Sequence, residues 1–419
     1  MKDFQELFSG LGCLGNYESL FLFEKVGLQM QFLGMLVVIL FATLIGGQFS
    51  ARLKLPAVVG ELLAGIIIGP AVFNLVQPSE IIKVFSDIGV IFLMFLAGLD
   101  CDIKTLEKLL RPSVLVAALG MIVPIITTYT TGIFFNFSQV ESLFLGLTFS
   151  ATSVSISVAV LQEMGRLKGK EGMTILGAAV ADDLLSILLL SIVNGLTGVS
   201  EHGSSMGKNY IVSLLIQAAF LILLGLLSVY VIPRLISLSQ RLTLPVPETL
   251  VAMIIVLLSS WGAEKVGLSN VIGAFFAGLA LNHTSAQKTL KKNFTVISYS
   301  SFIPVFFVSI GLDMSIKGIL HDFILFIVLV IGGVFSKLVG AGLGAKIAGF
   351  SNSSSLLVGT GMVSRGEMAL VVAQIGLTNH LLASAAYSTV IGAIIMTTVI
   401  SPFLLKWSIL KMDKMDKNE

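Results

Sequence analysis

The chain has 419 residues, 55% of them hydrophobic and only 12% charged, with a mean hydropathy of +0.98. Soluble domains carry about 25% charged residues, so this composition excludes an ordinary water-soluble globule. The 26 Lys+Arg and 24 Asp+Glu almost cancel, to a net charge of +2, which excludes nucleic-acid binding by bulk charge.

Residues 1–27 mix charges with short apolar patches and lack a basic stretch followed by a long apolar one. They read as an extracytoplasmic N-terminal segment and not as a cleavable signal peptide. Apolar runs follow at 28–50, 56–75, 84–103, 113–135, 139–162 and 172–197. After a polar stretch from Gly198 to Lys208 come runs at 209–233, 246–263, 269–282, 297–316, 319–345, 352–378 and 381–408. These are thirteen runs, each about the length of a bilayer helix except the short ninth. The expected fold is an all-α polytopic membrane protein with no appended soluble domain, residues 409–419 forming a short cytoplasmic tail. Loops after odd-numbered runs, with the C-terminal tail, hold 18 basic residues against 6 on the other side. The positive-inside rule then places the C-terminus in the cytoplasm and the N-terminus outside, in a cell membrane. Cys13 and Cys101 lie far apart and the four histidines are scattered, so no disulfide framework, His-based metal centre or resident cofactor is expected.

One offset recurs along the chain. Gly60 and Gly65 in G-E-L-L-A-G return 213 residues later as Gly273 and Gly278 in G-A-F-F-A-G. Gly98-Leu99-Asp100 returns as Gly311-Leu312-Asp313, Gly120 as Gly333, Gly146 as Gly359 and Val158 as Val371, all in the same ungapped register. Seven helices, an odd number, separate equivalent positions, so the halves 28–197 and 246–408 are expected to be inverted repeats joined by a linker helix at 209–236. Inverted repeats characterise secondary transporters, which handle substrate near the midplane where the repeats meet.

An ion site needs its charges once, so the chemistry is sought where the repeats differ. Asp182 and Asp183 lie in the middle of the sixth run, and their counterparts are Ile395 and Met396. Lys337 has Pro124 as its counterpart, while Arg365 and Glu367 map onto Thr152 and Val154. Each charge in hydrocarbon costs at least a few kcal/mol and so marks a functional site with a partner. Adjacent aspartates on a helix project about 100° apart. One can bind a permeating ion while the other pairs with a fixed cation, for which Lys337 is the candidate. Arg365 cannot lose its proton and suits a permanent clamp, with Glu61 as a plausible partner. Runs five and twelve look interrupted at equivalent places, around Thr152, Ser153 and Ser155 and around Ser364-Arg365-Gly366-Glu367. The Thr152 and Ser153 hydroxyls there can bond backbone or ligate a monovalent cation.

The order G-E-L-L-A-G-I-I-I-G-P, F-L-A-G-L-D, A-D-D, G-A-F-F-A-G-L, F-S-K and S-R-G-E resembles the bacterial cation/proton antiporters of the second subfamily. These include sodium/proton antiporters and glutathione-gated potassium efflux systems, and the likeness runs from about Leu36 to Pro402. The resemblance implies a thirteen-helix homodimer in which the last three helices of each repeat form an ion-carrying core moving against a dimer domain. It also implies that Asp183 binds cation or proton, that Asp182 pairs with Lys337, and that the seventh span links the domains. The potassium efflux systems carry a C-terminal nucleotide-binding domain, and none is expected here.

The expected function is exchange of protons for a monovalent cation, sodium foremost, by alternating access at the carboxylates of the sixth helix. Potassium/proton antiport, and sodium- or proton-coupled symport of an organic solute, would use the same features. Cation and proton are cargo here. A potassium channel would want a T-V-G-Y-G-like filter, which is absent from the sequence. An intramembrane aspartyl protease would need carboxylates facing each other from different helices, so no enzyme is expected.

Overall fold

The computed structural model describes residues 16–53, 55–101, 103–197, 210–282, 284–314, 322–378, 382 and 384–416. Among these residues all regular structure is helical, and a helix or helix pair lies on each of the thirteen apolar runs. Eight helices among the described residues are long and apolar enough to cross a membrane. A bent pair, Leu215–Ser228 with Ile232–Ser239, adds a ninth, and Ala57–Ile68 and Asn270–Leu281 are shorter apolar helices.

The first half runs α1 (Asn16–Arg52), α2 (Ala57–Ile68), α3 (Glu80–Asp100), α4 (Ile103–Lys108), α5 (Leu110–Phe134), α6 (Gln139–Ser150), α7 (Val154–Glu163) and α8 (Lys170–Thr197). Helices α9 (Tyr210–Tyr230) and α10 (Ile232–Ser239) connect it to α11 (Pro247–Lys265) and α12 (Asn270–Leu281). Then come α13 (Gln287–Ile297), a π turn at Ser298–Phe302, α14 (Ile303–Leu312), α15 (Phe323–Ile347), α16 (Asn352–Gly361), α17 (Glu367–Thr378) and α18 (Ser384–Asp416). Helix ends keep the 213-residue register: α2 shifts onto α12 and α5 onto α15 end for end, and the C-terminus of α1 shifts onto that of α11.

Four of the repeated glycine pairs, Gly60/Gly273, Gly65/Gly278, Gly98/Gly311 and Gly146/Gly359, are places where helices meet backbone to backbone. A Cβ on Gly98 would lie 2.2 Å from the Phe275 carbonyl oxygen, and one on Gly311 would lie 2.5 Å from that of Leu62. A Cβ on Gly146 would meet the Ile125 carbonyl oxygen at 3.0 Å, and one on Gly359 would meet that of Leu338 at 2.5 Å. In each case glycine and contact both shift by 213. Small residues allow this close approach, which supplies packing where no hydrophobic force separates helix from lipid. Thus α3 packs on α12 and α14 on α2, one helix of each pair from each half, while α15 lies along α5.

Several boundaries differ from the sequence reading. The second run, expected over 56–75, is helical only at Ala57–Ile68. Pro70 disfavours the helical conformation for the residue before it, and Gly69 is accordingly extended (φ −78°, ψ −176°). The tenth run, expected at 297–316, belongs to a helix that starts at Gln287, its first turns being amphipathic and Lys-rich. The linker expected as one helix over 209–236 bends by 40°. Pro233 lacks a backbone N–H and sits in the first turn of the new segment, α10. At the ends, α1 begins at Asn16 inside the expected N-terminal segment, and α18 continues through most of the expected tail, to Asp416. Apolar runs report only the buried stretch, whereas Leu, Lys and Met continue a helix beyond it. Ile409 and Met412 are buried, and Arg166 pairs with Asp413.

Candidate ion site

Two helices are broken in the middle of the fold. α6 and α7 are separated by Ala151, Thr152 and Ser153, and α16 and α17 by residues 362–366. The breaks lie against each other. The Ser153 N–H donates to the Ser364 carbonyl (2.8 Å), and the Ser364 hydroxyl donates to the Ser153 carbonyl (2.7 Å). Ser157 Oγ lies 3.0 Å from Ser364 Oγ. Gly366 has no room for a side chain, since a Cβ would lie 2.7 Å from Ser153 Cβ.

A broken helix leaves its last carbonyls without intrahelical donors and with the negative end of the helix dipole. Lys337, on α15 and fully buried, donates from Nζ to the Ser150 carbonyl that ends α6 (2.5 Å). Arg365, equally buried, donates from Nε to the Phe149 carbonyl (3.0 Å), from Nη1 to Val363 (3.0 Å) and from Nη2 to Gly333 (2.7 Å). Its guanidinium also lies 5.1 Å from the centre of the Phe149 ring. The two fixed cations therefore cap the carbonyl ends of the break.

The carboxylates come from α8, where Asp182 and Asp183 are 1% and 6% exposed. Lys337 Nζ lies 3.3 Å from Asp182 Oδ1, a fully buried ion pair. The other Asp182 oxygen and the Thr152 hydroxyl are buried with no hydrogen-bond partner. Such orphaned oxygens cost about 1–3 kcal/mol each, and a dehydrated cation would satisfy them. Asp182, Asp183, Lys337 and Arg365 are the buried charges at this crossing among the described residues. Glu367 opens α17, and its side chain lies outside the described residues.

The expected pairing of Glu61 with Arg365 is not formed. Arg365 directs its donors to three backbone carbonyls, and Glu61 lines a separate cavity of about 580 Å³ together with Asp100, Glu163, Lys168, Lys291 and Tyr299. Both are charges within apolar runs, but residue type does not tell a carboxylate receptor from a carbonyl one. For the same reason the Phe149, Ser150 and Gly333 carbonyls carry no signal in the sequence.

In the first cavity Asp100 pairs with Lys291 (2.7 Å) and Lys168 (3.3 Å). A second cavity of about 760 Å³ is lined by Glu80, Lys83, Asp87, Ser309, Asp313 and Tyr387, among others. The first includes Leu96 and Asp100, at the C-terminal end of α3, and the second includes Glu80 and Lys83, at its N-terminal end. At about 1.5 Å per residue the ends of this 21-residue helix are roughly 30 Å apart, the thickness of a bilayer core. The residues lining neither cavity include Asp182 or Asp183.

A charge-compensated site at the crossing of two broken helices, in a bundle with cavities at opposite ends of α3, is the architecture of a secondary transporter. Residues 36–411 match the family described as sodium/hydrogen exchanger, transmembrane, and the chain belongs to that family. It is 40% identical over 379 residues to a Na(+)/H(+) antiporter of Enterococcus hirae, covering 90% of this chain and 98% of that one. It is 38% identical over 389 residues to the Na(+)/H(+)-K(+) antiporter GerN of Bacillus cereus, covering 92% and 98%. Among solved structures, the sodium proton antiporter MjNhaP1 of Methanocaldococcus jannaschii has a similar fold, with a TM-score of 0.66 at 19% identity, over 91% of this chain and 97% of that one.

Proposed function

We propose that this protein exchanges protons for a monovalent cation, sodium foremost, across the cell membrane by alternating access. The observation that carries the reading is the buried Asp182–Lys337 pair beside Asp183 at the crossing of the two broken helices. Burial favours the neutral carboxylic acid, and a nearby ammonium favours the carboxylate. A proton and a cation then compete for Asp183, and one carboxylate couples the two flows. Asp182 and Thr152 offer further oxygens to the cation, Lys337 neutralises Asp182 in its absence, and Arg365 holds the break together. If cation binding releases Lys337, that lysine becomes a second proton carrier, because buried lysines change protonation readily.

In this reading thirteen spans cross the membrane as two inverted repeats and a linker, the N-terminus outside and the C-terminus cytoplasmic. The chain works as a homodimer, and the cavities beside Asp100 and Asp313 are the cytoplasmic and external approaches. The shared 213-residue register of helix ends and glycine contacts supports the repeats. The names of the relatives favour sodium, and that of GerN adds potassium as a second cargo. The test is exchange in proteoliposomes with a pH-reporting dye, adding Na+, Li+ and K+ in turn. Na+ is expected to collapse an imposed pH gradient, and a dye response to none of the three would overturn the proposal.

A further inference from the structure

Seven side-chain oxygens among the described residues are buried without a hydrogen-bond partner. Two are those of Asp182 and Thr152 discussed above, and a third is the hydroxyl of Ser186, on the same helix as the aspartates and 3% exposed. A buried hydroxyl in a helix can satisfy itself by donating back to the carbonyl four residues earlier. Thr128, Thr148, Thr174 and Thr398 do so here, at 2.7–2.9 Å from Pro124, Phe144, Lys170 and Ile394. Ser186 has no such bond, so its hydroxyl remains available to another partner.

Helix geometry places that partner. Relative to Asp182, Asp183 projects about 100° around the helix and Ser186 about 40°, which sets Ser186 between the two carboxylates in direction. It stands about 6 Å further along the axis from Asp182, one turn toward the C-terminus of α8. That is the side away from Arg166, Lys168 and Lys170, the basic residues preceding and opening the helix.

We propose that the Ser186 hydroxyl is a ligand of the transported cation, closing its oxygen shell on the side away from the basic end of α8. This inference rests on the antiport reading and adds a specificity-determining residue to it. Ser186 has the apolar Val399 as its counterpart 213 residues on, so this oxygen, like the carboxylates, is present in only one half. A neutral oxygen placed there replaces one water of hydration. Its loss therefore weighs most on the cations that hold water most tightly, Li+ and then Na+, and least on K+.

The test is dye-reported exchange by the purified full chain in proteoliposomes, titrating Li+, Na+ and K+ for Ser186→Ala, for wild type and for Ser142→Ala. Ser142 is an equally orphaned buried hydroxyl on α6, about two turns before the break. Ser186→Ala is expected to raise the half-saturating Na+ concentration by about three- to tenfold, the range for one lost polar contact, with the maximal rate held within about twofold. The rise should be larger for Li+ and smaller for K+, and Ser142→Ala should match wild type. An unchanged half-saturating concentration in Ser186→Ala, or an equal rise in Ser142→Ala, would overturn the assignment while leaving antiport standing. A fall in rate alone would overturn it too, because it would show a structural role. Wild type silent with all three ions would instead overturn the antiport reading beneath it.

Discussion

Asp183 and Asp182 are neighbours with different surroundings. Asp182 meets Lys337 at 3.3 Å, whereas Asp183 projects about 100° away around the helix. Asp183→Asn keeps the size of the side chain and removes its charge. Exchange is expected to disappear with the melting temperature within a few degrees of wild type, measured by dye response and by thermal unfolding in detergent. Normal exchange by that variant would end the assignment of the coupling carboxylate. The pair itself is open to a double-mutant cycle, since only residues in contact show non-additive effects. Lys337→Ala and Asp182→Ala are each expected to cost about 3–5 kcal/mol, because each leaves a lone buried charge. The double variant should recover part of that loss but not all, because the Ser150 carbonyl loses its ammonium donor in any case. Strictly additive losses would show that the pair contributes nothing as a pair.

The crossing of broken helices depends on Gly366. A methyl group there would press on Ser153, with Cβ–Cβ at 2.7 Å and Cβ–Oγ at 2.6 Å. Gly366→Ala is expected to push the two breaks apart, at about 1–3 kcal/mol for forced overpacking, and to reduce exchange at least tenfold. Ser153→Gly in the same chain removes the obstructing atoms and should restore part of the rate. Full activity in Gly366→Ala alone would show that the breaks need not touch during transport. The element scale also explains the two short helices. α2 and α12 are 12 residues each, about 18 Å, which is shorter than a bilayer core. Their outer faces can nonetheless be covered, because α2 packs on α1 and α14, and α12 on α3 and α11.

On the scale of the whole molecule, the two cavities predict which residues each compartment reaches. Lys83 lines one cavity and Lys168 the other, and both are exposed. In a chain with Cys13 and Cys101 replaced, Lys83→Cys should react in intact cells with a membrane-impermeant maleimide. Lys168→Cys should react only after permeabilisation, as the excess of basic residues on its side requires. Labelling of both from outside would overturn the proposed inverted arrangement.

The helical class, the sites of the apolar runs, the 213-residue register and the charges at Asp182, Asp183, Lys337 and Arg365 are all legible in the amino-acid sequence. These features are written in residue type and spacing: hydropathy marks what lipid will accept, and a lone charge in an apolar run stands out against it. The true helix ends were less legible, as at Pro70, Pro233 and the extensions to Asn16 and Asp416. There the end is set by backbone geometry and helix propensity, and the apolar runs do not track either one. Lys337 was already the candidate cation for one of the aspartates and lies 3.3 Å from Asp182, but the partners of Arg365 came from the tertiary structure alone. Arg365 was expected to seek Glu61 and instead binds carbonyls at Phe149, Gly333 and Val363, groups that every residue carries. Which carbonyls are free to accept depends on where two helices break and how closely they cross, and those distances exist only once the halves have packed together.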